Sequence, residues 1–218
     1  MNARSRRRPA GPDNSTPTAK LADAVARLGG RAQAVPMDLG DAAAAQAIFE
    51  QIGADDHFVS TAADLTYGPL ATVERPAIER MLAGKFWGPV NLVQFGVQNL
   101  RASGSILLFS GLAADRPAAG SVGLEWALNA GVEGLVRALA VELAPVRVNG
   151  ISPGVVETEG WAFMDEGSRK GFFSDLATKL LARRIGTPRD LAEAALFALT
   201  NRYPTGGVVH VHGGGSLS

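Results

Sequence analysis

Residues 131–158 read GVEGLVRALAVELAPVRVNGISPGVVET, and this stretch decides the fold. Its first part continues a segment that is rich in Ala and Leu and free of proline, which predicts a helix from about Ser121 to Leu143. Val146 to Ile151 is a short apolar run that ends before Pro153-Gly154, which predicts a buried strand. A long helix that leads into a buried strand is typical of a parallel α/β sheet.

The same alternation extends from this stretch in both directions. Further strands are predicted at Ala32 to Val35, His57 to Val59, Gly104 to Phe109 and Val208 to Val211. Further helices are predicted at Thr18 to Leu28, from about Val73 to Leu100 and from Pro188 to about Leu199. The second of these is long and is expected to contain a kink. Asp41 is predicted to cap one more helix, which runs to about Ile52. Strands that alternate with helices predict a doubly wound α/β sheet.

The composition excludes several classes of function. The 218 residues are 46% hydrophobic, enough for one sizeable core, and contain no Cys, which removes disulfides, thiolate nucleophiles and Cys-ligated metals. The 21 basic and 21 acidic residues cancel and only 6% of residues are aromatic, so no nucleic-acid binding is expected. No apolar run reaches the roughly 20 residues that span a bilayer and no secretory signal is visible, so we expect a cytoplasmic protein without membrane contact.

The N-terminal residues 1–18 differ from the rest of the chain. Four arginines between positions 4 and 8 repel one another, and three prolines interrupt the segment. We therefore expect a disordered basic tail, followed by a single domain over residues 19–218.

Residues 131–158 resemble the short-chain dehydrogenase/reductase family, in which a helix ending in ALAVELAP leads into a strand RVNGISPG and then a Thr. Other blocks agree in order and spacing, namely Met37-Asp38-Leu39, Gly104 to Ser110, Gly186-Thr187-Pro188 and Thr205 to Gly214. The resemblance covers roughly residues 20–215. It implies a Rossmann-type sheet, NAD(P)-dependent oxidation of an alcohol or reduction of a carbonyl, and a homo-oligomer, either dimer or tetramer.

The cofactor half departs from the family's pattern, which opens with a strand, a Gly-rich turn and a helix that binds the pyrophosphate. The glycines before position 60 are Gly11, Gly29, Gly30, Gly40 and Gly53. None of them follows a buried strand and opens a helix. We therefore predict a Rossmann-type sheet that lacks the first strand and helix, and most or all of the second strand, of this half. The strand near residue 33 would then pair with the strand near residue 58, pair with another chain, or be poorly ordered.

The resemblance also implies catalytic positions. It places Glu125 at the family's catalytic Tyr, Asn129 at the catalytic Lys and Lys85 at the helix Asn, and it leaves Ser110 as the candidate for the substrate-orienting Ser. Glu125 and Asn129 keep the i, i+4 spacing that directs both side chains to one face of a helix. We hypothesise that Lys85 and Glu125 form an ion pair, and that a carboxylate with a raised pKa would act there as a general base. The alternative is a structural pair in a degenerate site.

Cofactor contacts follow from the same resemblance. Asp38 would lie beside the adenine, with a helix cap as the alternative, although Asp41 is better placed to cap. Ala62 belongs to the turn that packs on the cofactor. The loop over the nicotinamide would contain Pro153, Gly154, Val156 and Thr158.

Three further groups of residues have structural alternatives. His210 and His212 lie on one face of a strand, which leaves a metal pair as an alternative. No metal-ligand spacing links them with His57 and no carboxylate partner is evident, so no metal site is predicted. Trp87 and Trp126 are expected in core or interface packing. Residues 159–184 follow the position of the family's mobile substrate loop, and are apolar enough either to cover a small hydrophobic ligand or to pack on the same chain.

Three functions remain open at this level. The chain is an oxidoreductase with an atypical site built on Ser110, Glu125 and Lys85, an inactive homologue that acts as an oligomerisation or binding module, or a fragment of a longer gene whose start carries the glycines.

Overall fold

The computed structural model describes residues 17–29, 31–66, 68–116 and 123–218, which divide into two units after Met37. Most of the predicted basic tail, residues 1–16, lies outside the described residues. The first unit contains α1 (Pro17–Arg27), close to the predicted helix. Gly29 follows it with a φ of 66°, a left-handed conformation that favours glycine at the end of a helix.

Residues 31–37 have no regular secondary structure, so the strand predicted at Ala32 to Val35 is wrong. A strand is stabilised by hydrogen bonds between its backbone and a neighbour, and none of the described strands pairs with this segment. Four residues followed by Pro36 carry too weak a pattern to form a strand without such pairing.

The second unit is built on a parallel sheet whose order follows the chain. Its strands are β1 (Asp55–Ser60), β2 (Leu100–Phe109), β3 (Arg147–Pro153) and β4 (Val208–Val211). The register pairs Phe58 with Ile106, Leu107 with Asn149, and Ile151 with Val209. The four other predicted strands and the parallel α/β fold are therefore confirmed.

Helices connect these strands. They are α2 (Ala42–Phe49), α3 (Arg75–Leu82), α4 (Gly88–Gly96), α5 (Gly123–Glu142), α6 (Glu166–Lys179) and α7 (Pro188–Thr200). Asp41 caps α2 as predicted, because its carboxylate accepts from the backbone N–H groups of Ala43 and Ala44 at 2.9 and 3.2 Å. Within the described residues, no helix is both long enough and apolar enough to cross a membrane.

The kink predicted between Val73 and Leu100 is a π-helical segment, Ala83–Trp87, between α3 and α4. It lies where the chain passes close to the loop after β1, since a Cβ on Gly84 would lie 3.2 Å from the backbone nitrogen of Asp64. Such segments insert an extra residue into a helical turn and often occur at functional sites.

The side chains of β2 alternate between two hydrophobic layers. Ile106 and Leu108 pack with Val132 of α5 on one face of the sheet. Leu107 packs with Ala198 of α7 on the other face. Because the central strands are covered on both faces, a continuous apolar run forms them.

The outer edge of β1 is unpaired among the described strands. Val59 on this strand is 46% exposed, in contrast to the buried side chains of β2. The pairing of β1 with β2 is irregular between Asp55 and His57. Asp56 of β1 forms an ion pair with Arg101 of β2 at 2.6 Å.

Candidate active site

A cleft of about 470 Å³ opens at the carboxyl ends of the strands, the edge at which parallel α/β sheets bind ligands. Seven of the ten residues assigned to the site from the sequence line it, namely Lys85, Ser110, Glu125, Pro153, Gly154, Val156 and Thr158. The sheet therefore brings together residues that are far apart in the sequence, since Lys85 and Thr158 are separated by 73 positions (158 − 85).

Lys85 is positioned by the π-helical segment and is only 7% exposed. Its ammonium group donates hydrogen bonds to the backbone oxygens of Phe109 and Ser110, both at 2.9 Å. Burial lowers the pKa of Lys85 to about 8, and the negative charge of Glu125 partly opposes this shift. An ammonium has three N–H groups, so one remains for the cleft.

Glu125 lies in the first turn of α5 and lines the same cleft. Burial raises the pKa of its carboxyl group, and the charge of Lys85 partly opposes the rise. The direct ion pair expected with Lys85 does not form, because the ammonium is bonded to the two carbonyl oxygens at the end of β2 instead. The two groups therefore influence each other through their charges and not through contact.

Ser110 directly follows β2 and is 4% exposed. Its hydroxyl donates to Oε1 of Glu133 at 2.9 Å, while its backbone N–H bonds to the carbonyl of Ile151 at 2.8 Å. The single hydroxyl proton is thus directed at a carboxylate, which leaves none to polarise a substrate carbonyl. The sequence reasoning missed Glu133, although it continues the i, i+4 series of Glu125 and Asn129 along α5.

Asn129 does not line the cleft, and it lies one layer behind it. It is 1% exposed, and a Cβ on Gly111, which does line the cleft, would lie 2.9 Å from its Nδ2. In the part of the chain that the structure describes, its Oδ1 is buried without a hydrogen-bond partner. Asn129 therefore supports the cleft wall and does not itself face a ligand.

The loop predicted to cover the nicotinamide is held from both sides. The backbone N–H of Gly154 donates to the carbonyl of Val211 at 3.0 Å, and Val156 pairs with Gly186. A Cβ on Gly154 would lie 2.8 Å from the Cα of His212, so only glycine allows this close approach of the segments that directly follow β3 and β4. The indole N–H of Trp161 donates to the carbonyl of Val156 at 2.9 Å.

Asp38 and Ala62 lie outside the cleft lining. Asp38 is exposed, and its carboxylate accepts from the backbone N–H of Gly40 at 2.8 Å, a local turn ahead of α2. Ala62 is half-buried in the loop after β1, while the preceding Thr61 reaches the cleft.

The described residues fit the nicotinamide end of a dinucleotide cofactor, because the cleft combines a rigid backbone loop with polar side chains. Over residues 17–29 and 31–66, no strand leads through a Gly-rich turn into a helix. Gly40 precedes α2, but the space its Cβ would take is filled by Ala83 at 2.9 Å, so it serves packing and does not open room for phosphate.

The segment over residues 159–184 contributes an aromatic wall. The Trp161 ring lies 5.3 Å from that of Phe172 and 5.7 Å from that of Phe173, and Trp161 also lines the cleft. Trp126 also lines the cleft, whereas Trp87 is 51% exposed. The cleft therefore offers apolar surface beside Lys85 and Glu125.

The two histidines at the end of β4 meet a carboxylate that the sequence pattern did not reveal. Nδ1 of His210 lies 3.2 Å from Oδ2 of Asp115, and the rings of His210 and His212 are 5.4 Å apart. Burial, followed by the neighbouring His210, lowers the pKa of His212. His57 lies elsewhere, on β1, where its Nδ1 hydrogen-bonds with the hydroxyl of Ser105 at 2.9 Å.

Comparison with known proteins identifies similar sequences and folds. A family described as "Enoyl-(Acyl carrier protein) reductase" matches residues 11–216. The "Short-chain dehydrogenase/reductase fsr5" of Gibberella fujikuroi is 33% identical over 172 residues, which are 75% of this chain and 63% of that protein. The chain thus spans just under two thirds of this relative's length.

Solved structures agree with the sequence matches. One is a small-chain dehydrogenase in complex with NADPH, with a TM-score of 0.80, 36% identity, and coverage of 84% of this chain and 83% of the other. Another is an NADPH-bound short chain oxidoreductase from Pseudomonas aeruginosa PAO1 described as containing an atypical catalytic center, with a TM-score of 0.79, 31% identity, and coverage of 92% and 82%.

Proposed function

Because this chain belongs to the short-chain dehydrogenase/reductase family, we propose that it is an NAD(P)-dependent oxidoreductase that interconverts a carbonyl and an alcohol at a cleft with unusual acid–base groups. The observation that carries the proposal is the placement of Lys85 and Glu125 in one partly apolar cleft beside the Pro153-Gly154 loop. Two groups whose pKa values are displaced towards neutrality are suited to proton transfer at the same site.

Each polar group in the cleft has a distinct role in this proposal. The Glu125 carboxyl group, whose pKa burial raises, gives a proton to the carbonyl oxygen during reduction and takes it back during oxidation. The third N–H of Lys85 faces the oxygen on which negative charge develops. Ser110 holds Glu133 at the back of the site, and Asn129 supports the wall through Gly111.

The cofactor would be held at its nicotinamide end. Pro153, Gly154 and Val156 offer backbone groups and Thr158 a hydroxyl. In the family's pattern Asp38 belongs to the adenine side, and Ala62 to the turn that packs on the cofactor. When bound, the nicotinamide would supply or accept the hydride. We infer a small apolar carbonyl or alcohol as substrate, because Trp126 and Trp161 line the remaining volume.

Cofactor titration tests the proposal directly. We expect saturable binding of NADPH or NADH, measured by fluorescence, and oxidation of the bound cofactor only when a small apolar aldehyde or ketone is added. A protein that binds neither cofactor at millimolar concentration would contradict the oxidoreductase function and support an inactive binding module.

The pH dependence of activity should reveal the loss of the proton from Lys85. Because its pKa is about 8, the ammonium is present below that pH and lost above it, so kcat/KM for carbonyl reduction should show a descending limb near pH 8, in addition to the loss that ionisation of Glu125 causes. In Lys85→Arg the cation persists at high pH, and this descending limb should disappear. The matched control, exposed Lys179→Arg, should keep the limb. A limb that survives unchanged in folded Lys85→Arg would assign it to another group.

The assembly and location of the protein also form part of the proposal. Trp87 in the π-helical segment is 51% exposed, which suits burial against a second copy, so we propose a homo-oligomer. Sedimentation equilibrium measures the size of the oligomer, and a purely monomeric protein at working concentrations would contradict this proposal.

A cytoplasmic location is likewise an expectation, which fractionation of cells would test.

A further inference from the structure

We propose that Asp115, His210 and His212 bind one divalent transition-metal ion of the zinc type, and that this ion ties the loop after β2 to the end of β4. One ligand atom from each of the three residues lies within 4.8 Å of the others. This trio lies outside the residues to which the oxidoreductase proposal assigns catalysis or cofactor binding, so the two proposals stand independently.

The spacing suits a small tetrahedral ion. Bonds of about 2.0–2.2 Å to nitrogen and oxygen place neighbouring ligand atoms about 3.3–3.6 Å apart in a tetrahedron. Nδ1 of His210 and Oδ2 of Asp115 are already 3.2 Å apart. The His212 ligand atom lies within 4.8 Å of the other two, so a side-chain rotation of His212 that brings it closer would complete a three-residue set, with water as the fourth ligand.

The donor chemistry selects the class of metal. Two imidazoles and one carboxylate favour zinc and similar transition metals, whereas calcium and magnesium favour sites made of oxygen ligands. Among the described residues, Nδ1 of His212 is buried without a hydrogen-bond partner, so these residues leave this ring nitrogen unsatisfied. The carboxylate of Asp115 is exposed enough to reorient, with a side-chain exposure of 39%.

The nearby carboxylate of Asp190 is not available as a further ligand. It accepts from both terminal nitrogens of Arg184 at 2.8 and 2.6 Å, and from the backbone N–H of Thr187 at 2.7 Å. A cavity of about 240 Å³ opens beside His210 and His212 and gives an ion a path to them. Within the part of the chain that the structure describes, the proposed ligand set therefore consists of the trio.

The scaffold already holds the two halves of the site together. Arg116, next to Asp115, donates to the carbonyl of Gly215 at 2.7 Å, and the backbone N–H of Gly215 donates to the carbonyl of His212 at 3.0 Å. A metal would therefore bind with little rearrangement of the backbone, and would stabilise the folded chain by mass action. It would also fix the loop whose residues Leu112 and Ala113 line the cleft.

Calorimetric titration of the full chain, purified without an added histidine tag, with zinc chloride tests this site. We expect one zinc ion per chain and a rise in Tm on adding zinc, with at least tenfold weaker binding in His212→Asn and in Asp115→Asn. Cobalt, which gives visible absorption in tetrahedral sites, should bind with the same stoichiometry. His57→Asn, which removes the third histidine of the chain, should bind zinc as the unchanged protein does.

Two results would overturn the site. One is the absence of saturable zinc binding to the folded protein. The other is unchanged affinity in the double variant His210→Asn, His212→Asn. Because zinc binding is measured without cofactor or substrate, its failure would leave the oxidoreductase proposal untouched, and inactivity towards carbonyls would leave the metal site untouched.

Discussion

Replacing Glu125 by Gln should lower kcat/KM for carbonyl reduction by about 100- to 10,000-fold, the range that a positioned general acid contributes. The amide keeps the shape of the carboxyl group but cannot exchange a proton. The change also removes the negative charge that raises the pKa of Lys85, so the descending limb of the pH profile should move to lower pH. Steady-state kinetics across pH measure both effects.

A matched control separates this role from general effects on α5. Glu142 lies at the exposed end of the same helix, so Glu142→Gln makes the same chemical change away from the cleft and should leave kcat/KM nearly unchanged. Should Glu125→Gln keep most of its activity while binding cofactor normally, the proton would have to come from elsewhere in the site.

Replacing Leu108 by Ala should lower the free energy of unfolding by about 2–5 kcal/mol. Leu108 is fully buried on the central strand β2, in the layer that contains Val132 and Val136 of α5. Deleting its side chain removes apolar burial and leaves a cavity that two packed layers cannot easily close. Urea denaturation followed by circular dichroism measures the loss.

The control for this change is Leu196→Ala. Leu196 lies on α7 and is 61% exposed, so the same deletion should change the free energy of unfolding by no more than about 0.5 kcal/mol. Equal losses in the two variants would mean that the layer around Leu108 is not packed as the structure has it.

The parts of the fold that the sequence could predict are those with a dense local signal. Gly104 to Phe109 is a continuous apolar run, and it forms the buried part of β2. Asp41 and Pro188 marked the starts of α2 and α7 correctly, because caps act on the first turn of a helix. The segment at Ala32 to Val35 carried no such signal beyond four residues, and it formed no strand.

The sequence predicted which residues line the cleft, but it did not predict the hydrogen bonds that they form. Order along the chain and the ends of parallel strands placed Lys85, Ser110 and Glu125 in one cleft. Hydrogen bonds across the fold then decided what each group does. Lys85 donates to backbone carbonyl oxygens, and Ser110 donates to Glu133. Ser110 and Glu133 are 23 positions apart along the chain, so no local sequence pattern predicts their contact.

The contact of Asp115 with His210 could not be predicted from the sequence either. It lies 95 positions before His210 (210 − 115), and only the pairing of β2 with β3, and of β3 with β4, brings the loop after β2 near the end of β4. A periodicity of two identified His210 and His212 as neighbours, but no local pattern names a third ligand from another loop.

The outer edge of β1, which pairs with no other described strand, has a consequence for how the protein behaves in concentrated solution. An open edge exposes backbone N–H and C=O groups on which another chain can add a strand, the first step towards aggregation. The charges of Asp56 and Arg101 and the irregular pairing between Asp55 and His57 protect the start of this edge, as charged residues and bulges do in natural sheets. The regular remainder, from His57 to Ser60, is shorter than a typical strand, so it offers an incoming chain only a short template for growth.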